Sequence, residues 1–364
     1  MTQDDPETAV AAVVRGAEAA FGLELHAGEM LRNGRATVVR ASSLRGRVQG
    51  PVVIKLFKEG YREHFVRESA GLGLLSSIPD LARFVPRLLA DDDAGRMLLI
   101  EAIDERQSYA DTIFSDEPAA TEVLVETARR LGLLHGCARS KVPAFRAKVP
   151  ESPTPGLLLR KAVAPILDFI RRALPDNPVV PAHAAGSDLQ SELMRVADEV
   201  DELRILSTIT VGDMAPSNVL LGLDGPVFVD FEYCGIRSGF YDAMYWHCIC
   251  PFSVSTADRM DVAYRDGLHE GGVHIADDQF MAAMFLFMSH RLFWSLSWNM
   301  EVLFQRDRDV VPGVSTRRII CEYLREYSRF AATLPRPGHA ALVSIARTLE
   351  ARLSQLWPEA RASH

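Results

Sequence analysis

The spacing of hydrophobic and polar residues divides this chain into a strand-rich beginning and a helical remainder. Short apolar runs bounded by turn residues predict strands at residues 36–40, 52–57, 85–90 and 97–102. A helix is predicted between the second and third of these runs, at residues 61–77. After Pro118 the apolar residues recur every three or four positions, which is typical of amphipathic helices.

One short β section, at residues 208–231, interrupts the helical remainder. The pattern therefore predicts an α+β fold, with a small and mainly antiparallel sheet first and a larger helical part after it. We place the boundary between two lobes after residue 103, which gives segments 1–103 and 104–364.

The β section contains a predicted hairpin whose open end carries polar side chains. Its two apolar strands are joined through Asp224-Gly225, a dipeptide that favours tight turns. A turn centred near Asp224 places Asn218 opposite Asp230, and directly opposed residues lie about 5 Å apart. Such oxygen ligands suit Mg²⁺, which usually takes one or two protein oxygens together with phosphate and water. Asn218 and Asp230 are therefore candidate metal ligands, although a solvated hairpin end is the alternative.

Asp213 precedes Asn218 in a stretch that contains Pro216. Because proline has no backbone N–H, this stretch is predicted to be a loop rather than the middle of a helix. The loop would hold Asp213 above the hairpin end, where a carboxylate can orient a hydroxyl nucleophile and accept its proton. An aspartate beside a glycine is also a common turn residue, so both interpretations stay open at this point.

Lys55 interrupts an apolar strand, and a buried ammonium is costly unless it is paired. Glu68 lies on the apolar face of the following predicted helix and is the candidate partner. The pair would be either a structural ion pair or a device that positions phosphate, and Glu59 or Glu63 could serve Lys55 instead.

Two further segments are candidates for nucleotide contacts. Gly34 lies in a turn between a strand-like piece at residues 30–31 and the strand at 36–40, and this turn could cover phosphates, although an ordinary hairpin explains it equally well. The strand at 97–102 runs into a connector, and the backbone groups of Glu101, Ala102 and Ile103 could face an adenine ring.

Composition narrows the classes of partner. The net charge of -8 over 364 residues disfavours nucleic acid, because nucleic-acid-binding domains usually carry a basic surface. No apolar run is long enough to span a bilayer, and the acidic N-terminus lacks the pattern of a signal peptide, so we expect a cytoplasmic protein without a membrane partner. The five cysteines form no zinc-binding pattern, and Cys248 and Cys250 are expected to be free thiols.

Taken in order, these motifs resemble those of the aminoglycoside phosphotransferase and choline kinase-like family, relatives of the protein kinases with a bilobal fold. The resemblance covers residues 22–245 and is strongest at 211–218 and 227–233, which look like the family's catalytic loop and metal-binding segment. It implies that Asp213 is the catalytic base and that Asn218 and Asp230 bind Mg²⁺.

The same resemblance implies that Lys55, oriented by Glu68, holds the α- and β-phosphates of ATP or GTP. Asp242 matches a family aspartate that braces the catalytic loop. The chain departs from the family at Val211, where a histidine that supports the loop is usual. Lys55 and the three catalytic-loop and metal positions are nevertheless all present, which favours an active kinase.

In such families the helical lobe builds the site for the acceptor. Candidates for that site are Glu232, Asp242 and the aromatic-rich segment 285–298, which contains His290, Arg291, Trp294 and Trp298. An aromatic stripe at helical spacing is also typical of an ordinary core, so packing is the alternative for this segment.

We therefore expect an enzyme that transfers the γ-phosphoryl group of ATP to a hydroxyl of a small molecule. The acidic charge balance favours a cationic acceptor such as an aminoglycoside-like antibiotic, and a kinase of a small metabolite such as an amino sugar or a choline-like alcohol is the alternative. Val211 favours a second class, a nucleotide-binding pseudokinase. A protein kinase is disfavoured because Gly212, rather than arginine, precedes Asp213. Oligomeric state is not predicted.

Overall fold

The computed structural model describes residues 6–45, 49–104, 107–115, 118–151, 153–175, 188–248, 252–311, 313–334 and 339–360. Its contacts divide the chain into two compact units. The first unit comprises Met1–Glu151, Thr208–Ile236 and Asp266–Gly272. The second unit comprises Ser152–Ser207, Arg237–Arg265 and Val273–His364. The lobe boundary after residue 103 concerns a different division and stays a prediction.

An antiparallel sheet forms the beginning of the first unit. Its strands are β1 (Glu24–Asn33), β2 (Ala36–Arg45), β3 (Gly50–Phe57), β4 (Leu88–Asp92) and β5 (Met97–Glu101). They lie in the order β1-β2-β3-β5-β4, and every neighbouring pair is antiparallel. Helix α1 (Pro6–Phe21) precedes the sheet, and α2 (Arg62–Leu75) connects β3 with β4. This confirms the predicted small antiparallel sheet, and α2 lies between the same two strands as the predicted helix at residues 61–77.

The two faces of β3 have different surroundings. Val52 and Ile54 point into a hydrophobic core that also contains Val39, Leu99 and, from α1, Ala17. Because side chains alternate along a strand, the residue that follows Ile54 points to the opposite face. That residue is Lys55, which is buried as well.

Strand β4 begins at Leu88, whereas the apolar pattern predicted a start at residue 85. Val85 is buried, but Pro86 follows it and has no N–H to donate to a neighbouring strand. The ladder with β5 therefore forms only beyond the proline, and hydrophobicity alone placed the strand too early.

The rest of the first unit carries the loop and hairpin predicted from residues 208–231. Its helices and strands are α3 (Tyr109–Ile113), α4 (Pro118–Ala138), α5 (Val142–Arg146), β6 (Ser207–Thr210), β7 (Val219–Gly222), β8 (Gly225–Phe228) and β9 (Gly235–Ser238, whose last residues belong to the second unit). β7 pairs with β8, and β6 pairs with β9. Arg130 of α4 donates hydrogen bonds to the carbonyl oxygens of Asp224 and Pro226, the latter at 2.9 Å, and so fixes the hairpin turn.

The second unit is mainly helical. Its elements are α6 (Pro155–Ala173), α7 (Asp188–Glu202), α8 (Phe240–Ala243), α9 (Tyr245–Cys248), α10 (Val254–Glu270, whose last residues belong to the first unit), α11 (Asp277–Leu296), α12 (Met300–Phe304), β10 (Asp309–Val311), β11 (Val314–Ser315), α13 (Thr316–Thr333) and α14 (Ala340–Leu356). Thr154 caps α6 by accepting a hydrogen bond from Leu157 N, and Ser315 caps α13 by accepting one from Arg318 N. Helix α11 buries apolar residues around most of its circumference, as a central helix does.

A buried ion network joins α9, α10 and α13 in the second unit. The two ring nitrogens of His247 lie 3.0 Å from carboxylate oxygens of Asp261 and Glu326. Burial works against a charge on the ring, but the two carboxylates outweigh it and raise the pKa of His247 to about 9. Glu326 is also held by Arg329, at 2.6 Å. The imidazolium is therefore a structural cation at neutral pH.

No helix in the described part of the chain is long and apolar enough to cross a membrane. Four cysteines in that part are free thiols, namely Cys137, Cys234, Cys248 and Cys321. Cys250 lies outside the described residues.

Candidate active site

Lys55 of β3 and Glu68 of α2 form a buried ion pair in the first unit. Lys55 Nζ lies 2.5 Å from Glu68 Oε2, and the side chains are only 7% and 2% exposed. The helical spacing that predicted an inward Glu68 is therefore matched by the structure, and this glutamate is the carboxylate that α2 brings to the lysine. Glu63 contacts Arg67 instead.

Asp230 joins the same cluster from the end of the β7–β8 hairpin. It hydrogen-bonds Lys55, and its second carboxylate oxygen lies 2.8 Å from a nitrogen of Arg32. The backbone of Asp230 is left-handed, with φ of 62°. Aspartate tolerates this conformation better than most residues, and here it turns the chain sharply after β8.

Glu232, a predicted candidate for the acceptor site, lies beside the lysine. Its side chain is 4% exposed and contacts Arg35 at 2.8 Å, while Lys55 lies 3.8 Å away. Carboxylate oxygens of Glu68, Asp230 and Glu232 all lie within 4.8 Å of one another. A charged residue within the apolar segment around Phe231 was the available signal, because a buried carboxylate requires a cation nearby.

Three carboxylates of this cluster face three cationic groups, because Lys55 contacts Glu68, Arg32 contacts Asp230 and Arg35 contacts Glu232. Burial opposes the charge of Lys55, but Glu68 and Asp230 outweigh it and raise the lysine pKa above its usual range. Burial raises the pKa of Glu68 to about 7, since Lys55 offsets only part of the desolvation. For Asp230 burial is overcome by Lys55 and Arg32, which hold its pKa below the usual value. Asp230 is therefore held as a carboxylate, the form that a metal ion requires of its ligand.

The hairpin register differs by one residue from the prediction. The structure pairs Val219 with Phe228 and closes the turn with Gly222 opposite Gly225, so Asn218 and Asp230 are not directly opposed. Gly225 has φ of 104°, a conformation that favours glycine, and it ends the turn instead of lying at its centre. The backbone N–H of Val229 still donates to Asn218 O at 2.9 Å. This bond keeps Asn218 and Asp230 at the same end of the hairpin.

The loop before β7 holds Asn218 and Asp213 together. Asn218 is 5% exposed, and its amide nitrogen donates to the backbone oxygen of Asp213 at 3.0 Å. One carboxylate oxygen of Asp213 accepts from Ala215 N at 3.3 Å. Gly212 has φ of 90°, and a Cβ at this position would clash with the carbonyl oxygen of Tyr233. The loop conformation therefore requires glycine immediately before the candidate base.

A cavity of about 400 Å³ in the first unit is lined by several of the candidate site residues. Its lining includes Lys55, Glu68, Glu101, Ala102, Ile103, Asn218 and Asp230. Gly34 lies in the β1–β2 turn, where its N–H donates to Ala36 O at 3.0 Å, and among the described residues neither it nor Asp213 lines the cavity.

The connector after β5 closes one side of this cavity. Glu101 N and Ala102 N donate to Arg87 O and Pro51 O, so the sheet already uses both N–H groups. The N–H of Ile103 has no acceptor among the described residues, although Ile103 lines the cavity.

The residues of this site fit a magnesium ion. Because the amide nitrogen of Asn218 is engaged by Asp213 O, its amide oxygen is the atom left to meet a cation. Asp230 supplies a carboxylate that Lys55 and Arg32 keep in its charged form. Two oxygen ligands and space for phosphate and water are the donor set that Mg²⁺ takes.

Solved structures resemble this chain in fold. A choline/ethanolamine kinase family protein from Mesorhizobium loti aligns with 14% identity and a TM-score of 0.50, over 94% of this chain and 99% of that chain. The ternary complex of the aminoglycoside phosphotransferase APH(2")-IIa with streptomycin and ATP aligns with 13% identity and a TM-score of 0.49, over 92% of this chain and 98% of that chain. Choline kinase LicA from Streptococcus pneumoniae aligns with 12% identity and a TM-score of 0.48, over 88% of this chain and 97% of that chain.

No protein-family model matches the chain, and no curated protein is similar to it in sequence. At these identities the likeness concerns the fold. The Mesorhizobium loti structure confirms the predicted kinase-like fold.

Proposed function

We propose that this protein is an ATP-dependent phosphotransferase that acts on a hydroxyl group of a small molecule. The observation that carries the proposal is the convergence of Lys55, Glu68, Asn218 and Asp230 on one cavity. A paired buried lysine, two oxygen ligands for a cation and an adjacent connector are the parts that phosphoryl transfer needs.

The nucleotide would lie in the cavity with its base against the connector. Ile103 offers an N–H group there, and Val38, Val53 and Leu220 supply apolar surface for a planar ring. Adenine and guanine both present a planar ring to this surface, so a comparison of ATP- and GTP-dependent turnover measures the base preference. In this arrangement residues 1–103 form the nucleotide-binding lobe and the acceptor is bound by parts of residues 104–364.

Lys55 would contact the phosphates, and Glu68 would hold its ammonium in position. Magnesium, when bound by Asn218 and Asp230, supplies positive charge to the phosphate oxygens. Asp230 is hydrogen-bonded to Lys55 and Arg32 in this structure, so these cations already lie beside the carboxylate. The phosphates would give the same cations new anionic partners.

Asp213 would orient the acceptor and take its proton. The acceptor oxygen forms a bond to the γ-phosphorus, the bond to the β-γ bridging oxygen breaks, and ADP leaves. The hydroxyl proton passes to the Asp213 carboxylate, whose loop is held by Asn218 and by Gly212. Preorganised groups of this kind act mainly through positioning and electrostatics.

The acceptor class is the finer part of the proposal. The net charge of -8 supports a cationic acceptor, such as an aminoglycoside-like antibiotic that would be inactivated by phosphorylation. A small metabolite with a hydroxyl group is the second candidate. We also propose a cytoplasmic location, where ATP and Mg²⁺ are both supplied.

A nucleotide-binding pseudokinase is the other function to be tested, because the side chain of Val211 is fully buried and apolar where a polar group would support the catalytic loop. The decisive assay is ADP release across a panel of aminoglycosides, amino sugars and amino alcohols, with and without Mg²⁺. We expect magnesium-dependent turnover with at least one acceptor, lost in Lys55→Met and retained in Lys58→Met, whose lysine is exposed. ATP binding without turnover, together with the absence of any phosphorylated product, would instead support the pseudokinase.

A further inference from the structure

An arginine and two tryptophans form one stripe at the end of α11 in the second unit. Arg291, Trp294 and Trp298 are spaced by three and four residues, so they project from the same side of the helix and the turn that follows it. The aromatic segment 285–298 was a candidate wall of an acceptor site on sequence grounds. In the structure, the guanidinium of Arg291 lies over the rings of two tryptophans of this segment.

Arg291 is surrounded by aromatic rings. Its guanidinium carbon lies 5.8 Å from the ring centroid of Tyr245, 5.3 Å from that of Trp294 and 5.6 Å from that of Trp298. The two indole rings are packed edge to face, with centroids 4.4 Å apart. Each contact lies within the range of a cation–π interaction.

This guanidinium has neither a hydrogen-bond acceptor nor a carboxylate partner among the described residues. Some arginines of the second unit have carboxylate partners, such as Arg160 with Asp198 at 2.7 Å and Arg325 with Glu322 at 2.7 Å. A guanidinium carries five N–H donors, and ring faces satisfy its charge only in part. Arg291 is partly buried, but none of its nitrogens is a fully buried donor without a partner, so its N–H groups are open to water or to a ligand.

Nothing in its described surroundings removes the positive charge. Burial acts against the charge, but the neighbouring Tyr245, Tyr241 and Tyr323 raise the pKa of Arg291 above its usual value. Burial also lowers the pKa of the adjacent His290 to about 4, so that ring is neutral. The stripe presents one unneutralised cation beside aromatic surface.

We propose that Arg291, with the rings of Tyr245, Trp294 and Trp298, is a binding site for an oxyanion carried on a small planar or apolar molecule. The guanidinium fork matches a carboxylate or a phosphate in geometry, and the indole rings cover the body of the ligand. Trp298 is 43% exposed and gives the ligand access. A quaternary ammonium is excluded, because it would meet a like charge inside the aromatic surround.

This site goes beyond the proposed phosphotransferase function and does not depend on it. If the acceptor of that reaction binds here, it carries an acidic group, in contrast to the cationic acceptor that the net charge suggests. The two ideas are separable because binding at Arg291 is measured without nucleotide.

The test is a titration of the full chain with benzoate, phenyl phosphate, inorganic phosphate and benzylammonium at constant ionic strength. Tryptophan fluorescence and calorimetry report binding. We expect saturable binding of benzoate or phenyl phosphate, weaker binding of inorganic phosphate, and none of benzylammonium. The benzoate and phenyl phosphate arms decide between a carboxylate and a phosphate ligand.

Variants assign that binding to the stripe. Arg291→Met should weaken the binding of benzoate and phenyl phosphate by about tenfold or more, the loss expected when a charged hydrogen-bonding partner is removed. Trp298→Ala should weaken benzoate and phenyl phosphate more than inorganic phosphate. Arg347→Met, at an exposed position of α14, is the matched control and should bind as wild type does. Lys55→Met should also retain binding, which separates this site from the cavity of the first unit.

Thermal stability gives an independent readout. Because the guanidinium N–H groups are open to water without ligand, Arg291→Met should lose only the cation–π contacts and should lower the thermal midpoint of the ligand-free protein little. Equal binding by wild type and Arg291→Met, binding of benzylammonium as tight as that of benzoate, or no saturable anion binding would overturn the proposal. A large loss of midpoint in Arg291→Met with no anion binding in wild type would identify the arginine as a structural cation only.

Discussion

Replacement of Lys55 by methionine separates the structural and catalytic roles of the buried cluster. The substitution keeps most of the volume of the side chain and removes the ammonium that Glu68 and Asp230 contact. Removal of one partner from a buried ion pair costs about 3–5 kcal/mol, because the remaining charge is left uncompensated. The side chains of Lys55 and Glu68 are 7% and 2% exposed, so solvent screening reduces this cost little.

The unfolding entropy of a 364-residue chain is about 0.76 kcal/mol/K, so 1 kcal/mol shifts its thermal midpoint by about 1.3 °C and Lys55→Met should lower the midpoint by roughly 4–7 °C at pH 8. The deficit should be smaller at pH 6, because burial has already raised the pKa of Glu68 to about 7 and a protonated Glu68 needs no counter-ion. Differential scanning calorimetry at the two pH values measures both effects.

The double variant Lys55→Met/Glu68→Gln provides the matched control. It removes the uncompensated carboxylate, so it should recover much of the stability while phosphotransfer stays absent. This cycle distinguishes an ion pair that only stabilises the fold from one that also positions phosphate. An unchanged midpoint in Lys55→Met, or full activity in the double variant, would refute the reasoning.

Three further predictions concern the catalytic loop and the second unit. Asp213→Asn should lower kcat by about 10²- to 10⁴-fold and leave the calorimetric affinity for ADP unchanged, whereas Asp224→Asn, in the exposed hairpin turn, should keep wild-type rates. Gly212→Ala should lower the thermal midpoint and the activity together, since its Cβ would meet a backbone carbonyl oxygen and φ is positive; a variant as stable as wild type would contradict the loop geometry. His247 has a folded-state pKa of about 9 against an ordinary 6.5, so it should contribute about 3 kcal/mol that is fully present below pH 6.5 and lost as pH rises through 9. Thermal midpoints from pH 7 to 10 should therefore fall more steeply in wild type than in His247→Asn.

The sequence was sufficient for features that follow from local periodicity. The helical spacing in α2 placed Glu68 on the inward face, and the structure pairs it with Lys55. Pro216 correctly predicted a break before β7, since the segment Pro216–Asn218 is a short 3-10 turn. Apolar runs bounded by turn residues also predicted β3 and β5 within a residue or two of their observed bounds.

Features that depend on backbone detail were missed. The hairpin register was shifted by one residue because Gly225 ends the turn, and only the observed φ of 104° reveals this. The start of β4 was placed too early because Pro86 was given too little weight. Both errors concern the position of a single N–H or a single turn residue, which hydrophobic patterning does not encode.

Long-range electrostatics were also beyond the sequence. Glu232 meets Arg35, which lies far away in the chain, and no local pattern connects them. The aromatic surround of Arg291, without a carboxylate among the described residues, is likewise visible only when the neighbours of its guanidinium are known. Such pairs are set by how elements distant in sequence pack together.

The central claim, that the cavity around Lys55 supports phosphotransfer, is tested most directly by ADP release with a panel of hydroxylated acceptors. The measurement compares wild type with Asp213→Asn, each with Mg²⁺ and with the metal chelated. We expect a phosphorylated product and acceptor-dependent ADP release by wild type with Mg²⁺ only, and a loss of about a hundredfold or more in the variant. Equal turnover by the two proteins, or turnover that persists without a divalent cation, would contradict the claim.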